Sequence, residues 1–199
     1  NVICGITLTA ELCDIFLNRI EGAKIIQKEC EKIKFKKFFY SNSLTTFEKI
    51  NTKKLSQVIS MNWHSIGRFI QKHLKDGIVI DFGSTTTDFI CIKDWQIKNN
   101  WFDDFYRINN AELMYTGVTR TPIFAICNSV KYNAKTFNII PELFSTLSDV
   151  YRINGKINKE FDIDEETDSS HKNSESSYRR LARSFSLDYK KKDTKFIQG

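Results

Sequence analysis

"IVIDFGSTTTDFICIK", residues 78–93, is the stretch on which the reading of the chain turns. An apolar run of β-forming residues ends at Asp81. A turn of Gly83, Ser84, Thr85, Thr86 and Thr87 follows, and Asp88 opens a second apolar run. A tight turn between two strands needs only a short segment, usually Asn-Gly or Asp-Gly. The consecutive hydroxyls exceed that need. Glycine lets the backbone approach a ligand without a Cβ in the way. Successive N–H groups in a tight turn make a concave nest for anionic oxygens, and the hydroxyls add donors. A carboxylate at a strand end, as at Asp81, suits Mg²⁺, which takes one or two carboxylates together with phosphate oxygens. Asp88 is placed to orient a hydroxyl or a metal-bound water. The same residues also suit a decorated turn whose threonines pair across strands.

Working outward, "GIVID" reads as a strand buried on both faces and "DFICIKD" as its antiparallel partner. Upstream, residues 9–30 space Leu12, Ile15, Phe16, Ala23, Ile26 and Cys30 as one helical face, with Thr9 as N-cap. Glu11, Asp14, Asn18 and Arg19 fall on the opposite side, as surface pairs or as the wall of a cleft. "FKKFFY" (35–40) reads as a strand, and residues 52–74 as a second helix that carries Trp63 in the core. Downstream, "ELMYTGVTRTPIFAI" is a loop entering an apolar segment. Residues 141–153 read as a helix with Pro141 in its first turn, residues 154–173 as a solvated acidic loop, and residues 174–187 as a final helix.

The alternation predicts an α/β protein with a boundary near residue 77. The chain has 199 residues and a net charge of +6. Its basic residues are spread out, with no aromatic–basic stripe, which argues against a nucleic-acid partner. No apolar run reaches the roughly 18 residues of a membrane span. Five cysteines without a CxxC pair, three of them in apolar patterns, predict buried free thiols in a reducing cytoplasm. The three histidines are scattered, which argues against a histidine-based metal site. The first and last residues suggest a piece of a longer protein, truncated at both ends.

"DFGSTTTD" resembles the phosphate-loop motif of the hydantoinase A/oxoprolinase group, within the sugar kinase, Hsp70 and actin superfamily. In chain order, "LTAELCD", Asn62-Trp63, "IDFGSTTTD", "AELMYTGVTRTPI", "ELFSTLSDVY" and "RRLAR" are similar to the hydantoinase-like proteins of the tetrahydromethanopterin-linked one-carbon pathway. The resemblance covers nearly the whole chain. It implies a partial actin-like (ribonuclease H-like) fold with a phosphate-binding β-hairpin. Residues 1–76 would close a first half, and residues 77–199 would begin a second.

That family includes the synthase for the aminomethylfuran core of methanofuran or methylofuran. The resemblance therefore implies a cytoplasmic transferase that joins a furan diphosphate to the phenol of a tyramine- or tyrosine-derived unit, with a phosphorylated small molecule as partner. Asp81, Gly83, Ser84, Thr85, Thr86 and Thr87 would bind phosphate, Asp81 also through Mg²⁺. Asp88, Glu112 and Arg120 would be catalytic: a cation matches the leaving diphosphate, and a carboxylate takes the phenol proton. Tyr115, Thr116, Gly117 and Thr121 would contact substrate. Ala111 stands where relatives usually show Gly, and Phe82 replaces a smaller aliphatic residue at an expected core position. The superfamily's first glycine-rich phosphate hairpin has no counterpart here. Two other functions stay open: an ATP-dependent hydrolase of a cyclic amide, and a nucleotide-binding protein without turnover.

Overall fold

The computed structural model describes residues 2–198. It is a mixed α/β chain that separates into two compact units. The first comprises Asn1–Asp81 and Asp88–Leu113; the second comprises Phe82–Thr87 and Met114–Gly199.

In the first unit, β1 (Ile3–Ile6) pairs in parallel with β2 (Lys36–Ser41), and β2 pairs antiparallel with β3 (Thr46–Glu48). The parallel pair needs a crossover, and α1 (Arg19–Glu31) supplies it. Leu8, Ala23, Phe39, Leu55 and Val58 form the core of this part. The helix is shorter than its apolar periodicity predicts. Asn18, not Thr9, caps it, with its side chain accepting from the Glu21 N–H at 3.0 Å. The Glu21 carboxylate in turn accepts from the Leu17 N–H at 2.7 Å. A cap that satisfies orphan amides outcompetes apolar spacing in setting where a helix starts.

The predicted second helix is also divided. A 3₁₀ segment (Thr52–Gln57) is followed by α2 (Asn62–Ile70), and Ser60 between them has a φ of 54°. A left-handed residue cannot continue a right-handed helix. Trp63 lies in the core as expected, 1% exposed.

The second sheet runs β4 (Gly77–Phe82), β5 (Thr87–Lys93), β6 (Gln96–Ile97), with β7 (Leu113–Met114) also on β5. The strand at 77–82 is not buried on both faces. Ile78, Ile80 and Phe82 are 66%, 48% and 64% exposed, so Phe82 is no core residue. Successive side chains alternate across a strand, and a continuous apolar run does not reveal which face is covered. Helix α3 (Asp104–Asn109) follows β6, capped by Asp103.

In the second unit, α4 (Ile123–Ile126) leads into β8 (Ser129–Tyr132) and β9 (Lys135–Asn138), an antiparallel pair. Asn133 and Ala134 both take positive φ in the two-residue connection, as a primed turn requires. Next come α5 (Leu147–Ile153), α6 (Ser174–Arg183) and α7 (Thr194–Gln198). Pro141 lies outside α5, which starts instead at a Thr146–Asp149 capping box.

The acidic segment before α6 is not merely solvated. Asp162 and Glu166 bind Arg152 at 2.8 and 2.6 Å, and Glu166 also binds the fully buried Arg180 at 2.6 Å. Arg180 reaches Asp149 of α5 at 2.7 Å. The buried guanidinium thus joins α6 to α5 directly through Asp149 and, through the loop's Glu166, to Arg152. All five thiols are free, but Cys13 and Cys91 are exposed and Cys4, Cys30 and Cys127 only half-buried, which corrects the expectation of buried thiols. Among the described residues, no helix is long and apolar enough to cross a membrane.

Candidate functional site

The hydroxyl-rich loop belongs to the second unit, where its carbonyls are used and most of its amides are not. Gly83 N–H donates to Thr86 O at 2.8 Å and closes the turn. Gly83 O accepts from Val118 N–H at 2.9 Å, and Ser84 O from the N–H groups of Thr119 and Arg120 at 3.3 and 2.9 Å. Among the described residues, the N–H groups of Ser84, Thr85 and Thr86 donate to no backbone acceptor. A loop held down by its carbonyls leaves adjacent amide donors together, as an anion nest requires.

Gly117 makes this clamp possible. A Cβ there would lie 2.4 Å from the carbonyl carbon and oxygen of Ser84 and from the nitrogen of Thr85. Thr121 holds the glycine in place: its hydroxyl accepts from Gly117 N–H at 2.7 Å and donates to Gly117 O at 3.2 Å. Thr87 is buried, and its hydroxyl donates to Thr116 O at 2.5 Å. The Ser84 and Thr85 hydroxyls are 3.5 Å apart on the exposed side. The Arg120 side chain and Tyr115 are exposed. The second motif, "YTGVTRTP", therefore carries the first.

Asp81, Asp88 and Glu112 lie in the first unit. Asp81 sits near the end of β4 on its half-buried face. Asp88 is 7% exposed and paired at 2.8 Å with Arg107, itself 1% exposed. Burial pushes the Asp88 carboxyl up, against the opposing pull of Arg107. Arg107 also donates to Glu112 O at 3.0 Å, and Phe89 N–H donates to the same carbonyl at 2.9 Å. The Glu112 carboxylate accepts from Asn100 N–H at 3.2 Å through Oε1. Its Oε2 is buried without a hydrogen-bond partner among the described residues, 4.0 Å from the equally unpartnered Arg107 Nε.

The structure thus brings Asp88 and Glu112 together through Arg107, a residue that the sequence reading did not single out. The signal for it lay in "DDFYRINNAEL", where an Asp-capped turn places an arginine just ahead of Glu112. Among the described residues, no group of three or more His, Cys, Asp or Glu side chains is arranged to hold a metal ion. The Asp81 charge adds to the upward push on the Asp88 carboxyl.

A mixed α/β chain with a carbonyl-clamped, hydroxyl-rich loop is the class of protein that these elements define. The chain belongs to the hydantoinase/oxoprolinase family, whose model matches residues 4–193. It is 32% identical over 183 residues to a protein of Methanocaldococcus jannaschii named (4-{4-[2-(gamma-L-glutamylamino)ethyl]phenoxymethyl}furan-2-yl)methanamine synthase. That match covers 90% of this chain and 55% of the relative. A protein of the same name from Methanococcus vannielii is 34% identical over 90 residues, covering 45% of this chain and 40% of the relative. The chain spans about half the length of the curated relatives it matches. The family resemblance drawn from "DFGSTTTD" and "YTGVTRTP" is borne out.

Proposed function

We propose that the chain is part of a transferase that joins an aminomethylfuran diphosphate to the phenolic oxygen of a tyramine-derived unit, in an actin-like arrangement with Phe82–Thr87 as its phosphate hairpin. The observation that carries this reading is the loop's division of labour. Carbonyls of Gly83 and Ser84 are bound to residues 118–120, while the amides of Ser84 to Thr86 donate to no backbone acceptor among the described residues. The names of the two relatives supply the chemistry, because each describes a furan methylene ether of a phenol.

In the reaction, the phenolic oxygen attacks the furan methylene carbon. The bond from that carbon to the diphosphate oxygen breaks, and the diphosphate leaves with the electron pair. The loop amides and the Ser84 and Thr85 hydroxyls bind the departing oxygens, and the exposed Arg120 offers planar donors to them. Mg²⁺, held by Asp81, would neutralise diphosphate charge. Glu112, a carboxylate of the same sequence motif as Arg120, is assigned to take the phenol proton. Asp88 is committed to Arg107 and positions the Glu112 segment through it.

Incubation of the protein with the furan diphosphate, a phenethylamine phenol and Mg²⁺ tests this. The expected result is equimolar phenolic ether and diphosphate, lost in Arg120→Met and reduced in Glu112→Gln. Nucleotide-stimulated opening of a cyclic amide, with no ether formed, would favour a hydrolase. Phosphate binding without any product would favour a non-catalytic nucleotide-binding protein.

A further inference from the structure

The acidic segment before α6 carries an acid at every second position: Asp162, Asp164, Glu166 and Asp168. Three of them meet arginines. Asp162 and Glu166 bind Arg152, Glu166 also binds Arg180, and Asp168 binds Arg180 and Arg183 at 3.1 and 2.9 Å. Asp164 forms no ion pair among the described residues. Its carboxylate instead accepts a hydrogen bond from the Thr119 hydroxyl. That bond is charge-assisted, and such bonds are stronger than those between neutral groups. Because its neighbours two residues away on either side are anchored to Arg152 and Arg180, Asp164 is held in place rather than carried on a free loop.

Thr119 is 5% exposed and is engaged on every polar atom. Its carbonyl accepts from Ser148 N–H in the first turn of α5 at 3.2 Å, and its own N–H donates to Ser84 O at 3.3 Å. One threonine therefore links the acidic segment, α5 and the hydroxyl-rich loop, all of which belong to the second unit.

The consequence for the loop follows from the geometry of the peptide bond. In a planar trans peptide the N–H points opposite to the C=O. The Ser84 carbonyl and the Thr85 N–H share one such plane. Pinning Ser84 O to the amides of Thr119 and Arg120 thus aims the Thr85 N–H away from residues 118–120. The Gly83 carbonyl, held by Val118 N–H, aims the Ser84 N–H away from them in the same manner. Donors that bind a ligand need a supporting layer that fixes their direction.

We propose that Asp164 is a positioning residue for the anion-binding amides: through Thr119 it fixes the Ser84 carbonyl, and through that peptide plane the direction of the Thr85 N–H. The inference rests on the phosphate-loop reading above and adds to it a residue of the acidic segment that touches no part of the loop itself.

Amide hydrogen exchange and a titration with inorganic pyrophosphate, both on the full chain, test it. Asp164→Ala and Thr119→Val are each expected to speed exchange at the Thr119 and Arg120 amides and to weaken pyrophosphate binding about 5- to 10-fold. The double variant Asp164→Ala/Thr119→Val is expected to bind no more weakly than either single one, because both changes remove the same bond. Asp164→Asn keeps an oxygen acceptor for the hydroxyl and is expected to retain most of the affinity. Unchanged exchange at Thr119 and Arg120 in Asp164→Ala, additive losses in the double variant, or a loss of affinity accompanied by faster exchange throughout the second unit overturns the positioning role. Wild type that fails to bind pyrophosphate overturns the phosphate-loop reading and this inference with it. Intact wild-type binding together with any of the former results overturns this inference alone.

Discussion

Arg107 lays its guanidinium 3.8 Å from the centroid of the Trp63 ring. From that stack it reaches Asp88 at 2.8 Å and the Glu112 carbonyl at 3.0 Å. A desolvated cation over an indole face is worth about 2 kcal/mol. The larger consequence is for Asp88, which burial would otherwise drive toward its neutral form.

Removing Arg107 strands a buried carboxylate. Arg107→Met is expected to cost about 3–5 kcal/mol, read as a shift in the urea midpoint. Arg107→Met/Asp88→Asn should recover a large part of that loss. A double mutant as unstable as the single would mean that the pair contributes nothing beyond packing.

Gly117 lies where a Cβ would overlap backbone atoms of Ser84 and Thr85, which cannot rotate away. Gly117→Ala should therefore displace the loop and destabilise the chain by about 1–3 kcal/mol. Inorganic pyrophosphate binding, followed by chemical shifts of Ser84 to Thr86, should weaken at least in proportion. Retention of wild-type shifts and wild-type affinity in this variant would show that the clamp is dispensable.

His64 is 6% exposed and lies 2.8 Å from the Tyr40 hydroxyl. Burial first, then Arg68 and Arg107, lowers its pKa to about 4. The unfolded chain takes up this proton below its ordinary value of 6.5, whereas the folded chain resists it until about 4. Stability should fall as pH drops through that window, by up to roughly 3 kcal/mol. Denaturation at a series of pH values, in wild type and His64→Asn, should show a steeper slope in the wild type. Parallel slopes would assign the acid sensitivity elsewhere.

Ala111 holds a φ of 56° in the turn between α3 and β7, a conformation costly for any residue with a Cβ. Ala111→Gly relieves it and should stabilise the protein by about 0.5–1 kcal/mol after the added freedom of the unfolded chain is counted. A lower thermal midpoint in this variant would contradict the strain argument.

What could be read without coordinates was whatever is encoded locally or in the order of motifs. "DFGSTTTD" and "YTGVTRTP" placed the chain in its family, and apolar spacing located most helices and the strand at Lys36–Ser41. Spacing did not reveal where elements stop. Asn18 set the start of α1 at its own cap, and Ser60 broke the second helix, because hydrogen-bonding and dihedral constraints at single residues override a periodic pattern.

Tertiary structure decided the rest. Only the fold shows that Arg107 joins Asp88 to Glu112, that Gly117 presses on Ser84, and that the acidic segment before α6 grips Arg152 and Arg180. These contacts join residues whose partners are chosen by folding, and charge or burial has no one-dimensional signature once a side chain's neighbour lies far along the chain. Ile78, Ile80 and Phe82 illustrate the same limit: an apolar strand states that it prefers cover, and packing alone determines whether cover is present.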